Sequence, residues 1–296
     1  MKMRKYHGLG NDYLVLSPDE FPFKLSKENI QLICSQHYGA GSDGILTGPH
    51  TPGSEDFKDI AAKAKIPDEI ASKALCALRI LNPDGSEAEK SGNGLRIFSR
   101  YLFDMGYVSL NRPFILLTLG GSVSATVLND NGDIRVDMGT VAFESQDFPG
   151  ESDEDGTRHI TLNGKDIRYC PASVGNPHCV VLNQPATRET AMELGPLLEN
   201  ASIFPNRINV QFLNVLDEHR IAIEIWERGA SYTLASGSSA SACAAVAVKM
   251  GYCKSPVEVV MPGGILKLEV FPDWRLVQTG PTALVYELKW LAPLEP

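Results

Sequence analysis

Residues 91–108, SGNGLRIFSRYLFDMGYV, and residues 236–253, SGSSASACAAVAVKMGYC, are two copies of the segment that decides the fold. They align without a gap at an offset of 145 residues, close to half of the 296-residue chain, and so indicate two related halves. Each copy predicts a helix, over 91–106 and 236–250, that begins at a Ser-Gly turn. A helix N-terminus presents unpaired N–H groups and partial positive charge. Two such starts that face each other would therefore bind one anionic ligand from both sides.

The length predicts two domains of about 145 residues each. We assign 1–120 with about 280–296 to an N-terminal domain and 121–279 to a C-terminal domain. The net charge of −9 and the pI near 5.2 argue against nucleic acid or an anionic membrane as the main partner. No apolar run approaches the ~20 residues of a membrane helix, and the basic N-terminus lacks the apolar run of a signal peptide. The expected partner is a small molecule, and the sequence leaves a monomer and a homodimer open.

The six cysteines form no CxxC pair and lie in apolar stretches. This usage predicts reduced thiols in a cytoplasmic protein rather than a disulfide framework. His178-Cys179 is a metal-like pair, but no other ligand cluster has suitable spacing, and no metal site is predicted.

Short runs of alternating or β-branched residues predict strands through both halves. The predicted strands are 13–16, 114–119, 123–128, 134–139, 159–164, 179–183, 208–215, 221–227, 257–262 and 265–271. Glycine-containing pairs at 120–121, 131–132 and 263–264 predict hairpin turns between them. The second repeated helix is apolar nearly all round, so we expect it to run through the middle of a curled sheet.

Two further segments are predicted to be peripheral. Residues 51–75 are charged and alanine-rich, which predicts one or two short surface helices. Residues 151–156, ESDEDG, predict a solvated acidic loop. A lid is the functional alternative for either segment.

Several other segments contain more Asn, Gly and polar residues than a core requires. They are HGLGNDY (7–13), GAGSDG (39–44), NPDGSEAEKSGNG (82–94), GNPHC (175–179), NRIN (206–209) and ERGASYTLASGSS (227–239). Each of them alone is typical of a turn, with its asparagines forming Asx turns. Ser91 and Ser236 alone are typical helix N-caps.

In this order, the segments resemble the diaminopimelate epimerase family from Tyr6 to about Gly264, with a long insertion around 50–75. The resemblance implies a cofactor-independent amino-acid epimerase or related isomerase. It also implies an α/β (α+β) fold of two pseudo-symmetric domains. Each domain would be a β-barrel-like sheet around a central helix, with the site in the cleft between them. The internal repeat fits this description independently.

The resemblance also implies roles for individual residues. Five residues match positions that surround the distal carboxylate of the substrate: Asn11, Asn82, Asn176, Asn209 and Arg228. Glu227 matches a residue near the distal amine, and Arg and Glu suit these two groups. Four N–H groups match the two helix starts that hold the reacting carboxylate: Gly92, Asn93, Gly237 and Ser238. Such N–H groups would stabilise the charge that forms when the α-proton leaves.

The catalytic pair departs from the family pattern. Family epimerases place a Cys at each helix start, and this chain has Ser91 and Ser236 there. A free Cys has a pKa of ~8.5, while an unactivated alcohol is a far weaker acid, roughly like bulk water. Two serines are therefore weaker proton-transfer groups unless another base assists. Candidate assisting groups are Asp84, Glu87, His178 and Tyr232.

Three functional hypotheses follow. The first is an isomerase that moves the α-proton of diaminopimelate or a close amino acid, with Ser91 and Ser236 in the acid/base positions. The second is double-bond isomerisation or dehydration within the same fold, which needs only one base. The third is a ligand-binding homologue without catalysis.

The two serines also raise the question of engineered replacement. The second motif also has Ser231-Tyr232 in place of Gly-Glu and Ser238-Ser239 in place of Thr-Gly, which favours natural divergence. The first motif differs mainly at the Cys itself, which keeps an engineered replacement open.

Overall fold

The computed structural model describes residues 1–21, 25–291 and 294. The chain divides into two compact units: unit 1 comprises Met1–Val136 and Gly280–Pro296, and unit 2 comprises Asp137–Thr279. The division falls after residue 136 and not after the predicted residue 120. The reason is that the segment after 120 continues the sheet of unit 1: it turns back in a hairpin and pairs with the strand that precedes it.

The described helices and strands follow one another in this order. Unit 1 begins with β1 (Lys2–Gly8), β2 (Asn11–Leu16), α1 (Lys27–Cys34), β3 (Ile45–His50), α2 (Glu55–Lys63), α3 (Asp68–Ala71), β4 (Cys76–Leu81), β5 (Glu87–Ala88), α4 (Gly92–Asp104), β6 (Phe114–Thr118), β7 (Gly121–Val127) and β8 (Asp133–Thr140). Unit 2 continues with β9 (Arg158–Leu162), β10 (Lys165–Ser173), β11 (Pro177–Val181), α5 (Arg188–Glu199), β12 (Asn209–Asp217), β13 (Arg220–Glu227), β14 (Ser231–Thr233), α6 (Gly237–Lys249), β15 (Val257–Met261), β16 (Gly264–Val270) and β17 (Arg275–Pro281). The chain re-enters unit 1 at Gly280, near the end of β17, and ends with β18 (Ala283–Lys289); the last residues of β8 belong likewise to unit 2.

The two units have the same strand topology. Unit 1 pairs its strands in the order β18-β1-β2-β3-β4-β6-β7-β8, and only β2/β3 and β4/β6 are parallel among these pairs. Unit 2 uses the order β9-β10-β11-β12-β13-β15-β16-β17, and only β11/β12 and β13/β15 are parallel. The short strands β5 and β14 pair with β4 and β13. The matching order of parallel and antiparallel pairs confirms the two related halves that the sequence repeat predicts.

Each unit surrounds one of the repeated helices. Helix α4 contacts β1, β2, β3 and β7, and helix α6 contacts β10 to β13, β15 and β16. Leu95, Phe98 and Leu102 of α4 are fully buried, and almost every side chain of α6 is buried as well. Both helices stop just before a glycine in the left-handed region, Gly106 (φ 78°) and Gly251 (φ 70°). The predicted central helices, and their ends, are thus confirmed.

The insertion forms two short helices, as predicted. Helix α2 packs Phe57 and Ile60 into a cluster with residues of β4 and β6, and its Asp56 binds Arg79 of β4 (Nε–Oδ1 2.8 Å). In unit 2 the corresponding connection, between β12 and β13, is a tight turn from Asp217 to Arg220. The predicted acidic loop at 151–156 is also present and mostly exposed.

Candidate active site

Ser91 lies directly before α4 and caps the helix. Its backbone is extended (φ −140°, ψ 119°), and its Oγ accepts a hydrogen bond from the Gly94 N–H at 3.0 Å. A Cβ at Gly94 would lie 3.2 Å from the Ser91 Cβ, so glycine lets the cap approach closely. The capping bond uses one acceptor position of the hydroxyl, which still has a proton to donate.

Tyr13 is a functional candidate that the sequence reasoning did not single out. Its hydroxyl lies 3.4 Å from the Ser91 Oγ, and its ring is buried. Gly44 makes room for this ring, because a Cβ there would lie 2.6 Å from the Tyr13 Cε1 and 2.7 Å from the Leu81 carbonyl oxygen. The sequence feature that could have identified Tyr13 is its position at the end of the HGLGNDY motif.

A chain of side chains connects Asn11 to the first turn of α4. The Asn93 Nδ2 donates to the Asn11 Oδ1 at 3.0 Å, and the Asn11 Nδ2 donates to Asp43 at 2.9 Å. On the other side, Arg96 donates from Nη2 to the Asn93 Oδ1 at 2.6 Å. Arg96 is fully buried, and burial lowers the pKa of its guanidinium to about 9, which leaves it cationic at neutral pH. The structure thus brings Asn11, Asn93 and Ser91 together in unit 1.

Asn82 is less directly connected to this group. It follows Leu81, which pairs with Ile45 of β3, so it lies at the same end of the sheet as the start of β2. Its Nδ2 donates to the Ser86 Oγ at 2.9 Å, and its backbone N–H donates to the Ser86 carbonyl. Asn82 therefore closes its own turn, as the turn interpretation of this motif predicts.

Unit 2 repeats the serine-capped helix start. Ser236 is extended (φ −143°, ψ 124°), only 4% exposed, and accepts from the Ser239 N–H at 3.3 Å. Its Oγ also lies 3.3 Å from the Ser238 Oγ. Gln211 of β12 donates to the Ser239 Oγ at 3.0 Å, which ties this strand to the start of α6 beside Gly237.

The polar residues predicted in unit 2 gather at neighbouring strand ends. Asn209 begins β12 and accepts from the Arg228 N–H at 3.0 Å, while its Nδ2 donates to the Pro177 carbonyl at 2.9 Å. Asn176 precedes β11, and its Oδ1 lies 3.0 Å from the His178 Nε2. Glu227 ends β13 directly before Arg228. Asn176, Asn209, Glu227 and Arg228 are thus brought to one end of the sheet by the register of β11, β12 and β13.

Glu199 holds the Glu-Arg-Gly turn in place, a role that the sequence reasoning missed. This buried carboxylate accepts from the Gly229 N–H (2.9 Å), the Trp226 Nε1 (2.8 Å) and the Arg207 Nη1 (2.8 Å). Three donors on one carboxylate restrict the backbone on which Arg228 is mounted. A glutamate at a helix C-terminus gives no sequence signal for this role.

The four candidate assisting bases have other partners. Glu87 is ion-paired with Arg79 (3.0 Å), and Asp84 accepts from the Ser86 N–H and hydroxyl, which lowers the pKa of its carboxyl. Burial lowers the pKa of His178 to about 3, so its imidazole is neutral and weakly basic. Burial and the neighbouring Glu224, to which the Tyr232 hydroxyl donates at 2.7 Å, raise the pKa of Tyr232 to about 12. None of these contacts is with Ser91 or Ser236.

Within residues 1–21, 25–291 and 294, no group of three or more His, Cys, Asp or Glu side chains is arranged to hold a metal ion. In the same ranges, no helix combines the length and apolarity that a membrane crossing requires. All six cysteines are unpaired thiols and buried, as predicted.

Comparison with known proteins supports the resemblance to the diaminopimelate epimerase family. The sequence model described as diaminopimelate epimerase matches residues 3–144 and 170–285. A Nostoc sp. protein named diaminopimelate epimerase 2 is 48% identical over 94% of this chain and 92% of its own length. A Desulfitobacterium hafniense diaminopimelate epimerase is 34% identical over 97% of each chain. Among solved structures, a hydroxyproline epimerase from Agrobacterium vitis superposes with a TM-score of 0.66 at 14% identity, over 97% of this chain and 91% of that one.

The fold is that of the amino-acid epimerases and racemases, a class of isomerases. Within this class, two findings identify the family: the match to the family model, and the sequence identity to relatives over nearly the whole chain. The chain belongs to the diaminopimelate epimerase family.

Proposed function

We propose that this protein is an isomerase that removes and returns the α-proton of diaminopimelate or a closely similar amino acid, without a cofactor. One observation carries the proposal: both units present a serine-capped helix start next to asparagine-bearing strand ends. The identity of 48% to a protein named diaminopimelate epimerase 2 supports diaminopimelate as the substrate. The retained Arg228 and Glu227 support a substrate with a distal carboxylate and a distal amine.

The helix starts supply the groups for the reacting carboxylate. The first N–H groups of a helix have no carbonyl partner within it, and they attract negative charge. We assign this role to the N–H groups of Gly92, Asn93, Gly237 and Ser238. Their contribution increases as the α-proton leaves, because the carboxylate then gains charge from the α-carbon.

Ser91 and Ser236 are the proposed acid/base groups. In one direction, one serine in its ionised form takes the α-proton, and the hydroxyl of the other donates its proton to the opposite face of Cα and is left ionised. In the reverse direction the roles exchange. The N–H group that each serine hydroxyl accepts from, Gly94 or Ser239, would stabilise negative charge on its oxygen.

The cellular setting follows from this reaction. Conversion of LL- to meso-diaminopimelate serves lysine and peptidoglycan-precursor biosynthesis, and we place the protein in the cytoplasm. The six buried thiols and the net charge of −9 support this setting. The proposed partner is a small amino acid, with no role for nucleic acid or a membrane surface.

A second candidate function is ligand binding without catalysis. It is favoured by the capping geometry, because both hydroxyls already serve the structural role of a helix N-cap. The engagement of Asp84, Glu87 and Tyr232 with other partners also favours it. It predicts stabilisation by diaminopimelate without proton exchange at Cα.

Proton NMR of LL-diaminopimelate with the protein in D₂O distinguishes the two functions. Loss of the α-proton signal together with formation of the meso isomer would establish the epimerase. Binding detected by calorimetry with an undiminished α-proton signal would establish the binding protein. No binding at millimolar ligand would contradict both.

A further inference from the structure

Arg96 is an unusual feature of unit 1 that the proposed chemistry does not use. It is fully buried, and among the described residues no carboxylate pairs with it. Its recorded acceptors are neutral: the Asn93 Oδ1 at 2.6 Å and the Gly92 carbonyl at 3.4 Å. The Nε is buried and has no hydrogen-bond partner among these residues. A buried cation without a counter-charge is costly, which points to an anion that binds nearby.

The position of Arg96 connects it to the start of α4. Both of its acceptors belong to the first turn of this helix. Gly8, in the HGLGNDY motif, makes room for the guanidinium, since a Cβ there would lie 3.3 Å from the Arg96 Nη2. The full positive charge therefore lies beside the N–H groups at which the partial charge of the helix is concentrated.

Arg96 also fixes the direction of the hydrogen-bond chain. An asparagine amide can face either way round, because one end donates and the other accepts. Arg96 can only donate, so the Asn93 Oδ1 must face it and the Nδ2 must face Asn11. At the far end Asp43 can only accept, which requires the Asn11 Nδ2 there. Both amides are thereby held in one orientation.

Unit 2 provides an internal comparison. At the offset of 145 residues, Arg96 aligns with Ser241 and Asn93 aligns with Ser238. Ser241 is buried, and its Oγ has no hydrogen-bond partner among the described residues. The buried cation is therefore a property of α4 and is not repeated at the aligned position of α6.

We propose that Arg96 is the positioning residue of the α4 start: it orients the amides of Asn93 and Asn11, and its charge is balanced by the carboxylate of the bound amino acid. Arg96 does not touch the reacting atoms in this proposal and acts through Asn93 and the first helical turn. The carboxylate part rests on the proposed function, whereas the orientation of the amides does not. The two parts can therefore be tested separately.

The binding test compares three variants by calorimetry with LL-diaminopimelate. Arg96→Met removes the charge and the donors at similar length, Arg96→Lys keeps the charge, and Ser241→Ala is the matched control in unit 2. We expect Kd to rise at least about tenfold in Arg96→Met, and to recover to within about threefold of the parent in Arg96→Lys. Ser241→Ala is expected to bind as the parent does. An unchanged Kd in Arg96→Met, or equal losses in the Met and Lys variants, would overturn the balancing charge.

Two measurements on the ligand-free protein separate positioning from simple structural support. Thermal unfolding of Arg96→Met is expected at or above the parent Tm, because the variant removes an unpaired buried charge. A variant that unfolds well below the parent, or does not fold, would show a structural role and overturn the proposal. Side-chain amide NMR signals of Asn93 and Asn11 should shift in Arg96→Met and return towards the parent positions in Arg96→Lys.

These amide signals also distinguish the two proposals. If the parent protein does not bind diaminopimelate, the proposed function fails, and the amide signals alone decide the role of Arg96. Amide signals that are the same in the parent and in Arg96→Met would then overturn the positioning role of Arg96. Amide signals that shift in Arg96→Met but not in Arg96→Lys would support that role.

Discussion

Restoring cysteine at both helix starts tests the assignment of Ser91 and Ser236. The pKa difference between a thiol and an alcohol is about 7 units, or on the order of 10 kcal/mol. Each oxygen accepts one N–H, from Gly94 at 3.0 Å or from Ser239 at 3.3 Å, and the same N–H would also stabilise a thiolate. The single N–H at each site therefore leaves most of the pKa difference between thiol and alcohol unchanged.

Only part of the difference reaches the transition state, because the proton is then partly transferred. If about half of the charge has developed, the barrier falls by about 5 kcal/mol, a factor of roughly 10³ to 10⁴ in rate. We expect Ser91→Cys combined with Ser236→Cys to accelerate epimerisation of LL-diaminopimelate by this factor. A thiol is a weaker cap than a hydroxyl, so each change is also expected to cost about 1 kcal/mol of folding stability.

The assay is loss of the α-proton NMR signal in D₂O at saturating ligand. Each single variant should exchange the α-proton of one stereoisomer faster than it interconverts the two isomers, because only one of the two groups is then a thiol. Ser241→Cys, which adds a buried thiol one turn further along α6, is the control and should match the parent. A double variant that binds the ligand and exchanges no faster than the parent would refute the reasoning and would place the defect outside the two serines.

Three further predictions concern stability. Burial lowers the pKa of His178 to about 3, against ~6.5 in an unfolded chain. Between these two pKa values the unfolded state binds more protons than the folded state. The free energy of unfolding therefore falls as the pH is lowered from ~6.5 towards 3. In urea unfolding, this group should lower the free energy of unfolding at pH ~4.5 by about 3 kcal/mol relative to neutral pH. The loss should be absent in His178→Gln and kept in the surface variant His159→Gln. Glu199→Ala should lower the free energy of unfolding by about 3 kcal/mol, since three donors lose their acceptor, and Glu199→Gln should lose less; equal losses would contradict the carboxylate's role. Arg79→Met should release α2 and increase its cleavage in limited proteolysis, whereas the exposed Lys63→Met should not.

The sequence repeat predicted the central features of the fold. Helices α4 and α6, their serine caps and their glycine stops follow from local patterns that the rest of the protein does not override. Eight strands were not predicted: β1, β3, β4, β5, β10, β14, β17 and β18. Residues 45–50 of β3, ILTGPH, contain a glycine and a proline that are typical of turns, and the pairing of β3 with β2 and β4 outweighs that preference.

The candidate site was predicted only in part from the sequence. The asparagines lie in motifs that are unusual for a core and could be identified as a set. Arg96 and Glu199 could not, because an arginine or glutamate on an amphipathic helix is normally solvent-exposed. Their burial depends on what packs against the helix, which local sequence does not encode. Tyr13 reaches Ser91 only because Gly44 leaves space, a relation between distant positions.

The strand β18 has a consequence for synthesis of the chain. β1 of unit 1 pairs along its length with β18, from Lys2 with Lys289 to His7 with Ala283. Unit 2 precedes β18 in the sequence, so the ribosome synthesises every residue of unit 2 before the last strand of unit 1. Because domains fold as they emerge, unit 2 can complete its sheet first, while β1 waits for its partner. A released chain that ends near residue 279 lacks β18 and should therefore leave the edge of β1 exposed.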